Sequence, residues 1–142
     1  REDMFISLAY LIVEANFGKI QIARAGHDAP LHYSSKTQNI NPINAPGIAI
    51  GIDSGDVFDK SINSMELNVE KGDILLLYTD GVNEASDIRG EEFGTDRLNQ
   101  TLANTSGLGA EKVVKAIQNE VISFSGDVPQ NDDITLIAVE KI

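Results

Sequence analysis

The chain of 142 residues contains no cysteine. That absence excludes a disulfide framework, a thiolate metal site and a cysteine nucleophile. Positive charge is scarce as well: 11 Lys and Arg stand against 22 Asp and Glu, for a formal net charge of −11. A surface of that sign repels phosphate backbones, which argues against general nucleic-acid binding and suits a protein that holds divalent cations. No apolar run approaches the ~18 residues of a membrane span. No secretory signal is visible, so the expected location is cytoplasmic, without membrane insertion of this domain. What is present is a hydrophobic content of 42%, and a length that fits one domain on the prior of ~100–200 residues per domain. The chain opens on Arg1 and enters a strand-like run by Met4. It is therefore expected to be a piece of a longer polypeptide.

One stretch organises the rest. Asp73-Ile74-Leu75-Leu76-Leu77-Tyr78-Thr79-Asp80-Gly81-Val82 is an apolar run of strand length that ends on a carboxylate and then a glycine. A buried strand of this kind fixes a carboxylate on a rigid element, and glycine lets the chain turn away at once. Before it, Met4 to Val13 is apolar on both faces and predicts a central strand. Asn16-Phe17-Gly18-Lys19 supplies a turn and Ile20 to Ala25 the returning strand, giving a hairpin over residues 4–25. Ala25-Gly26-His27-Asp28-Ala29-Pro30 reads as a polar corner. Leu31-His32-Tyr33 reads as a short strand, and Ser34 to Asn44 as a loop. Pro46-Gly47-Ile48-Ala49-Ile50-Gly51 marks close backbone approach or mobility. Asp53-Ser54-Gly55-Asp56 is a turn whose third and fifth positions, Gly55 and Val57, rule out a calcium loop.

Ser64 to Val69 alternates as a half-buried strand, and Glu70-Lys71-Gly72-Asp73 is expected to turn it back into the Asp80 strand as a second hairpin. Val82 to Ser86 predicts one helical turn. Thr95 predicts an N-cap for a helix reaching Ala103. Ala110 to Phe124 carries Val113, Val114, Ile117, Val121 and Phe124 on one helical face, and Ile134 to Val139 is a final strand. Hairpins followed by helices and one more strand argue for an α+β layered domain.

Asp80 follows one strand; Asp132 and Asp133 precede another. If those strands are antiparallel neighbours, the carboxylates converge, and hard oxygen ligands of this kind suit Mg²⁺ or Mn²⁺. Asp-Gly is also a common turn dipeptide, and Asn-Asp-Asp before a strand an ordinary polar cap. Spacing alone leaves both readings open.

Four segments occur in order: Ala25-Gly26-His27-Asp28-Ala29-Pro30, Tyr78-Thr79-Asp80-Gly81-Val82-Asn83-Glu84-Ala85, Glu92-Phe93-Gly94, and Asn131-Asp132-Asp133-Ile134-Thr135-Leu136. Together they resemble the metal-dependent, type 2C (PPM-type) protein serine/threonine phosphatases. Among these they are similar to the bacterial branch of sporulation protein E and the sigma-factor regulatory phosphatases. The resemblance runs from about Met4 to the C-terminus. It implies a sandwich of two antiparallel β-sheets flanked by helices, incomplete at the N-terminus, with residues 1–142 as the C-terminal portion of the domain. It implies two ions, Mn²⁺ or Mg²⁺, held by a metal site to which this chain brings Asp80, Gly81, Asp132 and Asp133, with Asp133 ranked below Asp132. It implies an activity, hydrolysis of phosphoserine or phosphothreonine on a regulatory protein of the anti-sigma-factor-antagonist type in stress or developmental signalling. An upstream sensor or receiver domain is usual in such relatives. The family's bridging aspartate and second Asp-Gly step belong to an earlier half with no counterpart here, so the isolated piece is expected to be inactive.

No residue is assigned a catalytic role. His27 is expected to order its corner by hydrogen bonds, His32 to be structural, and Arg89 and Arg97 to be solvated rather than to meet substrate phosphate. The competing reading is a pseudophosphatase, a fold kept as a protein-binding regulatory module.

Overall fold

A computed structural model of the chain describes residues 4–14, 18–53 and 55–142. The expected turn at Asn16 and Phe17 therefore lies outside the described residues, as does Ser54. The chain divides into two compact units. One comprises the residues up to Pro30 together with Pro42–Val69, and the other Leu31–Asn41 with Glu70–Ile142.

The first unit is built on a three-stranded antiparallel sheet. Its strands are β1 (Leu8–Val13), β2 (Lys19–Ala25) and β5 (Met65–Asn68), in the order β1-β2-β5. β1 pairs with β2 from Leu8↔Ala25 to Val13↔Ile20, and β2 with β5 from Lys19↔Asn68 to Ile22↔Met65. The expected first hairpin is present, but its first strand starts at Leu8. It is also an edge strand of the described sheet rather than a central one. Along β2, Ile20 and Ile22 are buried while Lys19 and Gln21 are exposed, the alternation of a strand with one covered face. Asp53 and a short helix, α1 (Asp56–Ser61), complete the unit. The Asp53 carboxylate accepts from the N–H groups of Gly55, Val57 and Phe58, groups at or next to the helix start that the helix itself cannot pair. That helix lay hidden in the sequence because it buries none of its residues, so no apolar period announces it.

The second unit carries a four-stranded sheet and the longer helices. Its strands are β3 (Leu31–Ser34), β4 (Asn39–Pro42), β6 (Ile74–Tyr78) and β7 (Leu136–Glu140), in the order β4-β3-β6-β7. Residues 39–42 form a strand where a loop was expected. Asn39, Asn41 and Pro42 are exposed and only Ile40 is partly covered, so the sequence shows no apolar alternation there. The helices are α2 (Asp80–Asn83), α3 (Gly94–Thr105) and α4 (Ala110–Ser125), with one 3₁₀ turn at Ser106–Leu108. α2 begins at Asp80, two residues earlier than expected. α3 begins at Gly94, with Phe93 rather than Thr95 at its N-cap.

The expected second hairpin does not form. β5 pairs with β2, whereas β6 pairs with β3 and β7. At the start of β6 the buried carboxylate of Asp73 gathers partners from β3 and the turns beside it. Oδ1 accepts from Ser35 N–H (2.8 Å) and Ser35 Oγ (3.0 Å); Oδ2 accepts from Glu70 N–H (3.0 Å) and from His32 Nε2 (2.9 Å). Those bonds tie the start of β6 to β3 and its following turn. Burial alone would raise this carboxyl, but the N–H groups of Glu70 and Ser35, the His32 ring and the Ser35 hydroxyl outweigh it and hold it below the usual 3.8.

The core of this unit is one cluster. Leu31, Tyr33, Ile74, Leu76 and Tyr78 from the sheet meet Val82, Phe93, Leu98, Leu102, Val113, Ile117 and Val121 from the helical side. Phe93 stands edge-on to Phe124, centroids 5.6 Å apart at 73°, a favoured aromatic geometry.

Candidate metal centre

β6 and β7 are antiparallel neighbours, with Tyr78 opposite Leu136. The end of β6 therefore lies beside the entry to β7. Asp80 follows Tyr78 by two residues and Asp132 and Asp133 precede Leu136 by four and three, so all three carboxylates sit at one end of the sheet. All are exposed.

Two residues lock that end together. Thr79 N–H donates to Thr135 O (3.2 Å), Thr79 Oγ1 donates to Asp133 O (2.9 Å), and Thr135 N–H donates to the same Oγ1 (2.9 Å). One side chain thus stitches the residue before Asp80 to the residues after Asp132. Gly81 is buried, and its backbone shows why no larger residue stands there. A Cβ at this position would lie 2.6 Å from Asp133 O, closer than real contacts allow, and 3.1 Å from Asp132 O. Glycine permits the main chain of Asp132 and Asp133 to press against the start of α2.

Asp132 is itself oriented. Its Oδ1 accepts from Asp133 N–H (2.7 Å), and Gln130 Nε2 donates to its carbonyl (2.7 Å). Asp133 contributes its main-chain carbonyl to Thr79. The donors gathered here are hard oxygens, the kind Mg²⁺ and Mn²⁺ take. The fit is to part of a site: among the described residues no group of three or more His, Asp or Glu side chains is arranged to hold a metal.

The other singled-out residues have local employment. In the first unit, Arg24 Nη1 donates to His27 O (2.5 Å) and Arg24 Nε to Ala45 O (3.0 Å), while Gly26 N–H donates to Gly47 O (2.9 Å). A Cβ on Gly47 would sit 1.9 Å from Arg24 O, so residues 46–51 are a close backbone crossing. Arg24, not anticipated, holds the corner through the His27 main chain; the ring of His27 reaches Asp28 O at 3.2 Å.

Arg89 and Arg97 are exposed, as expected, and both also make local contacts. Arg89 pairs with Asp87 and Glu91. Arg97 donates to the carbonyls of Glu92 and Phe93 and lies 4.5 Å over the Phe124 ring. His32 is structural, as its bond to Asp73 shows.

The chain is 31% identical over 139 residues to Protein IcfG of Synechocystis sp.. It is 28% identical over 139 residues to Phosphoserine phosphatase RsbU of Bacillus subtilis. These alignments cover 97% and 98% of the chain but only 21% and 40% of the relatives. Its fold matches the crystal structure of the phosphatase domain of the cell-fate determinant SpoIIE from Bacillus subtilis, soaked with Mn, at a TM-score of 0.68 and 14% identity. That match covers 95% of this chain and 56% of the solved one. The profile of the family described as Stage II sporulation protein E (SpoIIE) matches residues 1–141, and the chain belongs to that family.

Proposed function

We propose that the chain is the C-terminal portion of a metal-dependent protein phosphatase domain that hydrolyses phosphoserine or phosphothreonine on a regulatory protein, an anti-sigma-factor antagonist. The observation that carries this reading is the antiparallel β6–β7 pair, which brings Asp80 and Asp132 to one end of a sheet with Gly81 and Thr79 closing the gap between them. Family membership supports it, as does the relative named a phosphoserine phosphatase. The solved phosphatase domain of which the chain covers 56% supports the reading of residues 1–142 as part of a longer domain; a sensor or receiver domain further upstream belongs to the same proposal.

Asp80 and Asp132 are the carboxylates that would hold Mn²⁺ or Mg²⁺, with Asp133 and the Gly81 main chain beside them. A divalent ion in such a site lowers the pKa of a bound water and neutralises phosphoryl oxygens. The protein's own part is positional. β6 sets the place of Asp80, the Thr79 bonds fix its distance from the β7 entry, and the Asp133 N–H holds one oxygen of Asp132 so that the carboxylate keeps one orientation.

The second reading, a binding module that has lost catalysis, draws on the lack of a three-carboxylate group among the described residues. Turnover of a phosphoserine peptide with Mn²⁺ separates the two. Our reading expects the full-length protein to be active and the 142-residue chain alone inactive. A full-length protein that is inert with Mn²⁺ establishes the binding module instead.

A further inference from the structure

A cleft of about 420 Å³ opens beside the carboxylates, within the second unit. It lies in the range of ~300–1,000 Å³ usual for ligand clefts. One end reaches Gly81 and Asp132. Its lining combines apolar side chains, Val121 on α4 and Pro129 and Ile134 on the approach to β7 among them, with the carboxylates of Glu84 and Glu92. No lysine, arginine or histidine lines it.

The wall that carries Glu84 and Glu92 is a braced loop rather than a loose one. Phe93 N–H donates to Ala85 O (2.7 Å), and Ser86 pairs with Glu92 as an antiparallel bridge. At its tip, Asp87 accepts from the N–H groups of Arg89 and Glu91 and from Arg89 Nε. A pre-formed wall binds without the cost of ordering it.

We infer that this cleft seats the polypeptide that flanks the phosphorylated residue of the substrate protein, taking an apolar side chain against Val121, Pro129 and Ile134 and a basic side chain against Glu84 and Glu92. This inference rests on the phosphatase reading for the direction in which the segment runs. The commitment to a basic and apolar segment comes from the cleft itself, whose charged groups are all carboxylates and whose lining includes Val121, Pro129 and Ile134. An acidic flank would meet Glu84, Glu92 and Asp132 at close quarters, and like-charge approach rejects a partner as effectively as contact selects one. Because the cleft abuts Asp132, and an extended chain advances ~3.3 Å per residue, the residues read are those immediately next to the phosphorylated one.

The test measures binding by fluorescence polarisation, using full-length protein and unphosphorylated nine-residue peptides centred on serine. One peptide carries leucine and arginine beside the serine, a second leucine and glutamate, a third two serines. The Leu-Arg peptide is expected to bind tightest, with the Leu-Glu peptide about three- to tenfold weaker, and the gap is expected to close in high salt. The double variant Glu84→Gln/Glu92→Gln should lose that discrimination while keeping the wild-type melting temperature.

Equal affinity for the first two peptides overturns the inference without need of any variant, as does discrimination that survives in the double variant. Hydrolysis of p-nitrophenyl phosphate by the same wild-type protein with Mn²⁺ is scored separately. Its absence, beside intact discrimination, removes the phosphatase reading and leaves a cleft that selects basic and apolar segments.

Discussion

Strands β1 and β6 have similar apolar content and opposite fates. β1 reads Leu-Ala-Tyr-Leu-Ile-Val and buries none of its residues; Leu8, Tyr10, Ile12 and Val13 are each 45–58% exposed. β6 reads Ile-Leu-Leu-Leu-Tyr and buries all but Leu77. The difference is one of neighbours. β6 lies between β3 and β7 and under the helical face that carries Leu98, Leu102, Val113 and Ile117, whereas β1 has only β2 beside it in the described sheet. Apolar composition declares that a strand can be buried; the strands and helices that reach it decide whether it is.

That comparison can be broken by mutation. The largest effect is expected in β6: Leu76→Ala empties a fully buried position and should cost about 2–5 kcal/mol in urea unfolding. A loss as small as that of a surface change would mean the second unit lacks the close-packed core described. Next comes Asp73→Ala at the foot of the same strand. It strands the Ser35 and Glu70 N–H groups and the His32 ring, for a loss of about 1–3 kcal/mol.

The same residue gives a pH dependence. A carboxyl held below its unfolded value of 3.8 contributes stability that is present above that value and is lost as pH falls through its lower folded value. Thermal melts of the wild-type chain should therefore lose this share below pH 3.8, and Asp73→Asn should flatten that limb. Gly81→Ala should cost about 1–3 kcal/mol, because the Asp132–Asp133 main chain must move away from a new methyl; an unchanged melt would show that the two segments do not press together. The smallest effect belongs to β1: Ile12→Thr should stay within about 0.5 kcal/mol in the 142-residue chain. A large loss there would mean that β1 is covered after all.

How much could be read in advance follows the same division. α4 was legible almost to the residue because Val113, Ile117 and Val121 repeat at helical spacing and are buried. The convergence of Asp80 with Asp132 was legible as a condition, antiparallel pairing of their strands, which the β6–β7 register meets. The switch between sheets at Glu70–Asp73 was not. Its turn residues look like those of a hairpin, and the contacts of the buried Asp73 carboxylate with Ser35 and His32 lie far away in sequence. β4 escaped notice because it has one inward side chain, Ile40. The cleft beside Asp132 escaped because it is assembled from the loop after α2, the end of α4 and the approach to β7, no one of which carries a pattern of its own.

The central claim is that Asp80 and Asp132 serve one metal centre. It is tested most directly by Mn²⁺-dependent turnover of a phosphoserine peptide in full-length protein carrying Asp80→Asn, Asp132→Asn or both. The account predicts that either single change lowers turnover at least about a hundredfold and that the double change adds little, as for residues acting as a unit. Turnover near the wild-type level in either single variant would contradict it.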